Sequence, residues 1–321
     1  MKCLMGGFVA IAVLLSGVTM SVAQIAVGST QQAEIIVPPR PAGIASNRVT
    51  VNGVRIHYLK AGSGPAIVLL HGWAETSSMW LDIIPKLAQS YTVIAPDLRG
   101  YGDSSHVMDN FDQREVGADI AELLALEGFK QFVVVGHDLG AHVAFYMATK
   151  YPDAVSKLVL LDSVVPGIAP WEALTKDARL WHWNFYSIPD LPEALIEGKE
   201  NLYFSWFLRS FAVNGAAVEK QIPRVVAEFT GVGAIRSALQ LFRARELDAK
   251  LNAEWIKTNR LKMPVLALGG EGGTGTVLFQ QLLQVADHVE GGLIKNCGHW
   301  LVIEQPEVVL NRLTTFLQAR S

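Results

Sequence analysis

Residues 133–142 read VVVGHDLGAH, and this stretch decides the fold. The valines follow Gln131-Phe132 as a short apolar run without polar alternation, the pattern of a strand buried on both faces. GAHVAFYMATKYP (140–152) has helical spacing. Between them Gly136-His137-Asp138-Leu139-Gly140 reads as a tight turn. A strand that passes through such a turn directly into a helix presents the central side chain at the top of a sheet. That side chain is the carboxylate of Asp138.

Working outward, AIVLLHG (66–72), YTVIAPDLRGYGDS (91–104), VSKLVLLDS (155–163) and MPVLALGGEGG (263–273) read as apolar strands running into loops. VTVNGVRIHYLKAG (49–62) reads as a hairpin turning at Asn52-Gly53. SSMWLDIIPKLAQS (77–90) has helical spacing, and GADIAELLALEGFK (117–130) predicts a helix with Ile120, Leu123, Leu124 and Phe129 on its apolar face. A last helix is expected from about Pro306 to Arg320. Strands alternating with helices predict an α/β fold, a mostly parallel sheet flanked by helices. Residues 166–258 show no strand pattern, hold most of the tryptophans, and include helical runs such as PEALIEGKENLYFSWFLRSF (192–211). The expected organisation is a core over 48–165 and 259–321, interrupted by a helical cap over 166–258.

The 321 residues are half hydrophobic with a formal net charge of −3, and no long basic run occurs, which excludes nucleic acid as a partner. Lys2, the apolar stretch Phe8–Val18 and the small residues Ser21-Val22-Ala23 have the shape of a secretory signal peptide over 1–23. The apolar stretch is short for a membrane span, so no stable insertion is expected after cleavage. Export to the periplasm or beyond is expected, with 24–47 as an extended arm. Cleavage leaves Cys297 as the sole cysteine, so no intrachain disulfide forms. No cluster has metal-ligand spacing, and GGEGGTGT (269–276) lacks the Lys-Ser/Thr of a phosphate loop, so neither metal nor cofactor is expected. The expected partner is a small-molecule substrate. A homodimer is left open.

Ligands of an open α/β sheet bind outside the carboxyl ends of the strands. The His71-Gly72-Trp73 loop, Asp138, Asp162 and His299 all fall there. A carboxylate attacking a carboxylic ester gives an anhydride, with little driving force. The same carboxylate attacking an epoxide or an alkyl halide gives an ester that activated water can cleave. Asp138 therefore points to ring opening or halide displacement, with His299 activating water and a second carboxylate orienting the imidazole. The plainer reading, Asp138 as a helix cap, leaves His299 and the His71-Gly72-Trp73 loop unexplained.

HGW, PDLRGYGDS, GHDLG, RLWHWNF, ALIEGKE, GGTGT and NCGHWL run through nearly the whole chain after the arm. On these stretches the chain resembles the α/β-hydrolase superfamily, in its aspartate-nucleophile branch of epoxide hydrolases and dehalogenases. The resemblance implies Asp138 as nucleophile, His299 as general base and Asp162 as orienting acid. Glu271, after the next strand, is the alternative acid. The backbone N–H groups of Trp73 and Leu139 would form the oxyanion hole. His182 matches the leaving-group donor, and His71, Trp183 and Phe242 border the expected substrate pocket. The branch usually adds a tyrosine before an arginine, but QLFRARE (240–246) has Phe242 there, which cannot donate a proton.

That departure keeps a dehalogenase reading alive. Haloalkane dehalogenases, however, carry a tryptophan where Leu139 stands, and fluoroacetate dehalogenases carry arginines at the positions of Leu139 and His142. Epoxide hydrolysis to a vicinal diol is the first expectation, dehalogenation the second, and a non-catalytic binding protein the third. His71 and His137 are expected to fix loops, Glu75 to be a solvated turn residue, and Asp97 and Arg99 to pair with each other. Cys297 is expected as a buried filler, and Tyr186 and Tyr203 as packing within the cap.

Overall fold

The computed structural model describes Val37 and residues 39–319; the signal peptide and most of the expected arm lie outside the described residues. Eight strands form one sheet: β1 (Ala45–Val51), β2 (Val54–Ala61), β3 (Ala66–Leu70), β4 (Thr92–Pro96), β5 (Phe132–His137), β6 (Val155–Leu161), β7 (Val265–Gly270) and β8 (Val289–Ile294). Their spatial order is β1-β2-β4-β3-β5-β6-β7-β8. The β1/β2 and β2/β4 pairs are antiparallel and all others parallel. The hairpin turns at Asn52 and Gly53, both at positive φ (47° and 78°), as a two-residue turn between right-twisted strands requires.

The central strands β3, β4, β5 and β7 are buried throughout, because helices cover both faces. Alternate residues serve opposite cores. Val68, Leu70, Ile94, Val134, Leu158, Leu160 and Val265 pack under the helices Gln113–Leu126 and Leu139–Lys150, in a core that continues into the cap. Ile67, Leu69, Val93, Val133, Val135, Val159 and Leu266 face Trp80, Ile84 and the C-terminal helix Pro306–Gln318. Each such side chain contributes about 1.5–3 kcal/mol by leaving water.

Between β6 and β7 the described chain carries helices and no strand. The long run expected over 192–211 is two helices, Leu191–Ile196 and Glu200–Ser210, parted at Gly198 with φ of 78°. Residues 77–90 likewise form only a turn of 3-10 helix and the short helix Ile84–Leu87, since Pro85 can only open a helix there. Among the described residues no single helix is long and apolar enough to cross a membrane.

Candidate active site

Asp138 follows β5 directly and opens the helix Leu139–Lys150 at φ 50°, ψ −121°. The flanking glycines make this turn possible. A Cβ on Gly136 would lie 2.3 Å from the Gly140 carbonyl oxygen, and one on Gly140 would lie 2.3 Å from that of Leu70. Asp138 therefore stands clear at the carboxyl edge of the sheet. Trp73 N–H donates to its Oδ1 at 2.8 Å, and Leu139 N–H also donates to it. Burial works to raise the Asp138 pKa, but His299, His137 and these two N–H groups outweigh it and hold the carboxyl below its ordinary value.

His299 Nε2 lies 3.6 Å from Asp138 Oδ2. Its Nδ1 meets Asp162 Oδ2 at 2.6 Å, which leaves Nε2 facing Asp138. Asp162 follows β6 directly, in the left-handed region at φ 35°. Its other oxygen accepts from Gly270 N–H at 2.7 Å, Thr274 N–H at 2.9 Å and the Thr274 hydroxyl at 3.0 Å. Glu271 is exposed and accepts instead from Asn296 N–H at 3.0 Å, so it is a loop charge and makes no bond to His299. Asp138, Asp162 and His299 thus meet in one line of contacts.

A cavity of about 440 Å³ opens onto this line, bordered by Trp73, Leu139, His182, Trp183, Phe242 and Arg245. His182 is buried with its Nδ1 unpartnered, and burial drives its pKa down to about 3 against the weaker pull of Asp138, so the imidazole is neutral. Phe242 packs edge-on to Trp73 and His182. Tyr186 and Tyr203 share a short hydroxyl–hydroxyl bond, Tyr186 also accepts from Trp73 Nε1 at 3.0 Å, and neither borders the cavity.

His71 was expected on the pocket wall and is not part of it. It is fully buried; its Nε2 accepts from Leu98 N–H at 3.0 Å and its Nδ1 donates to the Gly72 carbonyl at 3.0 Å. It fixes the loop that aims Trp73 N–H. Glu75 corrects another expectation. It is buried rather than solvated, and it pairs with His137 Nδ1 at 2.8 Å, while His137 Nε2 donates to the His299 carbonyl at 2.8 Å. Asp97 and Arg99 do not pair with each other. Asp97 meets His57 at 2.7 Å and Arg99 meets Asp119 at 2.7 Å. Cys297 is free and buried.

Two residues escaped the sequence reading altogether. Glu304 accepts from the N–H groups of Val213, Asn214, Gly298 and Trp300, gathering the His299 loop and a cap segment around one carboxylate. Arg245, in the cap helix Gln240–Trp255, lines the cavity. Its signal is an arginine recurring at helical spacing with the buried Leu241, Phe242, Ala249 and Asn252, on the inward face.

The family model described as alpha/beta hydrolase fold matches residues 65–306. The chain belongs to the α/β-hydrolase fold family. This α/β hydrolase is 37% identical to the soluble epoxide hydrolase of Corynebacterium sp. (strain C12) over 279 residues, 85% of this chain and 97% of that one. It is 30% identical to a fluoroacetate dehalogenase of Burkholderia sp. over 293 residues, 87% of this chain and 96% of that one. Among solved structures it superposes on Cfl2 of Burkholderia cenocepacia with a TM-score of 0.81 at 35% identity, covering 88% and 98% of the two chains. This α/β hydrolase is an epoxide hydrolase-like enzyme.

Proposed function

We propose that the enzyme opens a small epoxide to a vicinal diol through an ester on Asp138. The observation that carries this reading is the division of labour between the two oxygens of Asp138. Oδ1 accepts from Trp73 N–H at 2.8 Å, with Leu139 N–H also bonded to the carboxylate, while Oδ2 lies 3.6 Å from His299 Nε2 in a residue that borders the cavity. Oδ2 attacks an epoxide carbon, the carbon–oxygen bond of the ring breaks, and the alkoxide, hydrogen-bonded by neutral His182, takes a proton derived from solvent. Oδ1 becomes the ester carbonyl oxygen, already in its hole. His299 removes a proton from water, which attacks Cγ; the Cγ–Oδ2 bond breaks, the diol leaves with Oδ2 and the proton held by His299, and Asp138 keeps the oxygen of water and re-ionises, returning its second proton to solvent.

A trapping experiment tests it. His299→Gln stalls the second step, so a panel of epoxides should leave an adduct of full epoxide mass on Asp138. Adducts elsewhere, or none with a folded variant, would overturn the ester.

A second reading, halide displacement by the same attack, draws on Phe242 and on the fluoroacetate dehalogenase relative. Halide leaves without a proton, so a wall lacking a cavity-facing tyrosine hydroxyl suits it. Halide release from haloacids, with an adduct lacking the halogen, would favour it. We propose also that the chain is exported, on the charge and apolar pattern of residues 1–23; a mature N-terminus at Gln24 is the expected sequencing result.

A further inference from the structure

Arg245 is 3% exposed, and its Nε and Nη1 are buried without a hydrogen-bond partner. Its guanidinium lies 4.6 Å over Trp183 and 5.6 Å over Trp171, two rings stacked on each other. Those contacts hold the fork by its faces and leave its N–H edge unused. The nearby carboxylates are committed elsewhere. Asp177 is engaged by Arg179, Asp248 accepts from Gln113 N–H at 2.9 Å, and Asp162 serves His299. Glu246, next in the chain, is exposed and pulls the Arg245 pKa upward less than burial lowers it. Burial pulls the guanidinium pKa down only to about 10, so the charge persists at neutral pH. Its field reaches both His182 and His142, which border the same cavity.

A buried, charged fork with unmade hydrogen bonds is costly unless an anion completes it. We propose that Arg245 is a carboxylate anchor: the cavity takes a small organic acid whose electrophilic carbon faces Asp138 while its carboxylate pairs with the guanidinium. This rests on the aspartyl-ester reading for the electrophile and deepens it to a substrate class, epoxy acids. The cationic fork on the same cavity wall would also offset the repulsion that Asp138 imposes on the carboxylate of a bound acid. Leu139 and His142 offer no cation beside the nucleophile: Leu139 is apolar, and burial lowers the His142 pKa to about 4.

The test separates binding from turnover. Butanoate through octanoate and their primary amides are titrated calorimetrically into the wild type, Arg245→Lys and Arg245→Met, with ω-epoxy acids and their amides compared as substrates. Each acid should bind the wild type about 10- to 100-fold tighter than its amide, the range of a charge-assisted pair, with the preference reduced in Arg245→Lys and lost in Arg245→Met. The kcat/KM ratio of epoxy acid to epoxy amide should fall in the same order. Acids that bind the wild type no better than amides, or a preference that survives both substitutions, would overturn the anchor and mark Arg245 as cap packing. If Arg245→Met fails to fold, the wild-type titration and Arg245→Lys still decide. Acids bound through Arg245 with no epoxide opened would leave the anchor standing and remove the ester reading. Epoxy amides opened as fast as epoxy acids would do the reverse.

Discussion

Glu75 and His137, 62 residues apart in the chain, form an ion pair of 2.8 Å in which both side chains are essentially without solvent exposure. The imidazole ring lies 4.7 Å from that of His299 and donates to the His299 carbonyl. Burial favours the neutral form of His137, but Glu75 overrides it and raises the pKa to about 9. A charge is thus stored one contact away from His299, whose main chain it holds.

The pair sets a pH dependence. The folded pKa of His137 lies above its ordinary 6.5, so the stability it contributes is fully present below about pH 6.5 and is lost as pH rises through about 9. Denaturant unfolding at pH 6 and pH 9.5 should differ by about 2–3 kcal/mol from this group. Glu75→Gln should flatten the difference and cost about 3–5 kcal/mol at pH 6, since it leaves a buried imidazole without its counter-charge. An unchanged pH profile in Glu75→Gln would show that His137 is neutral in the fold.

Asp162 and Glu271 make opposite predictions for the orienting acid. Asp162→Asn should lower kcat by about 1,000- to 10,000-fold, because the amide no longer enforces the proton on Nδ1 of His299. Glu271→Gln should stay within about twofold of wild type. Steady-state kinetics on one epoxide decide between them, and a large loss in Glu271→Gln would reverse the assignment.

On the proposed mechanism, Phe242 and His182, which both border the cavity, set the leaving-group chemistry. Phe242→Tyr places a phenol on the cavity wall and should raise the ratio of epoxide opening to halide release by about tenfold or more. His182 is neutral above about pH 3, so the epoxide-opening step should show no ionisation of this group between pH 5 and 9. A single-turnover pH profile that bends near 6.5 and straightens in His182→Gln would refute that environment.

Gly140 tests the geometry of the turn. A methyl group there would sit 2.3 Å from the Leu70 carbonyl oxygen, a backbone atom that cannot rotate away. Gly140→Ala should cost about 3 kcal/mol and disturb the turn that carries Asp138. Thermal unfolding together with the yield of trapped ester reads both effects.

The sheet was legible where strands are buried on both sides. β3, β4, β5, β6 and β7 announce themselves as Val-, Ile- and Leu-rich runs, and the hairpin as Asn-Gly between alternating residues. β8 escaped because VEGGLI carries the pair Gly291-Gly292; a Cβ on Gly291 would lie 1.9 Å from the Ala267 carbonyl oxygen, so proximity to β7 overrides strand propensity. The helix Val277–Val285 before it was missed although Thr276 stands at its N-cap, because the glycine-rich run 269–275 ahead of it reads as loop. In the site, Asp138, Asp162 and His299 were legible because each follows a strand or its loop. Glu75, Glu304 and Arg245 were not. A charged residue in a row of letters looks solvated, and only partners far along the chain reveal that it is buried.

The main chain of His299 is gripped twice. Its N–H donates to the Phe211 carbonyl of the cap, 2.8 Å away, and its carbonyl accepts from His137 of the core. His299 therefore belongs to neither layer alone. A cap grafted from a relative to alter substrate range would bring its own Phe211 carbonyl, and any misfit there would be transmitted to the imidazole. Exchange of the whole cap should consequently degrade turnover even where the new pocket binds well, whereas point changes on the pocket wall leave this grip intact.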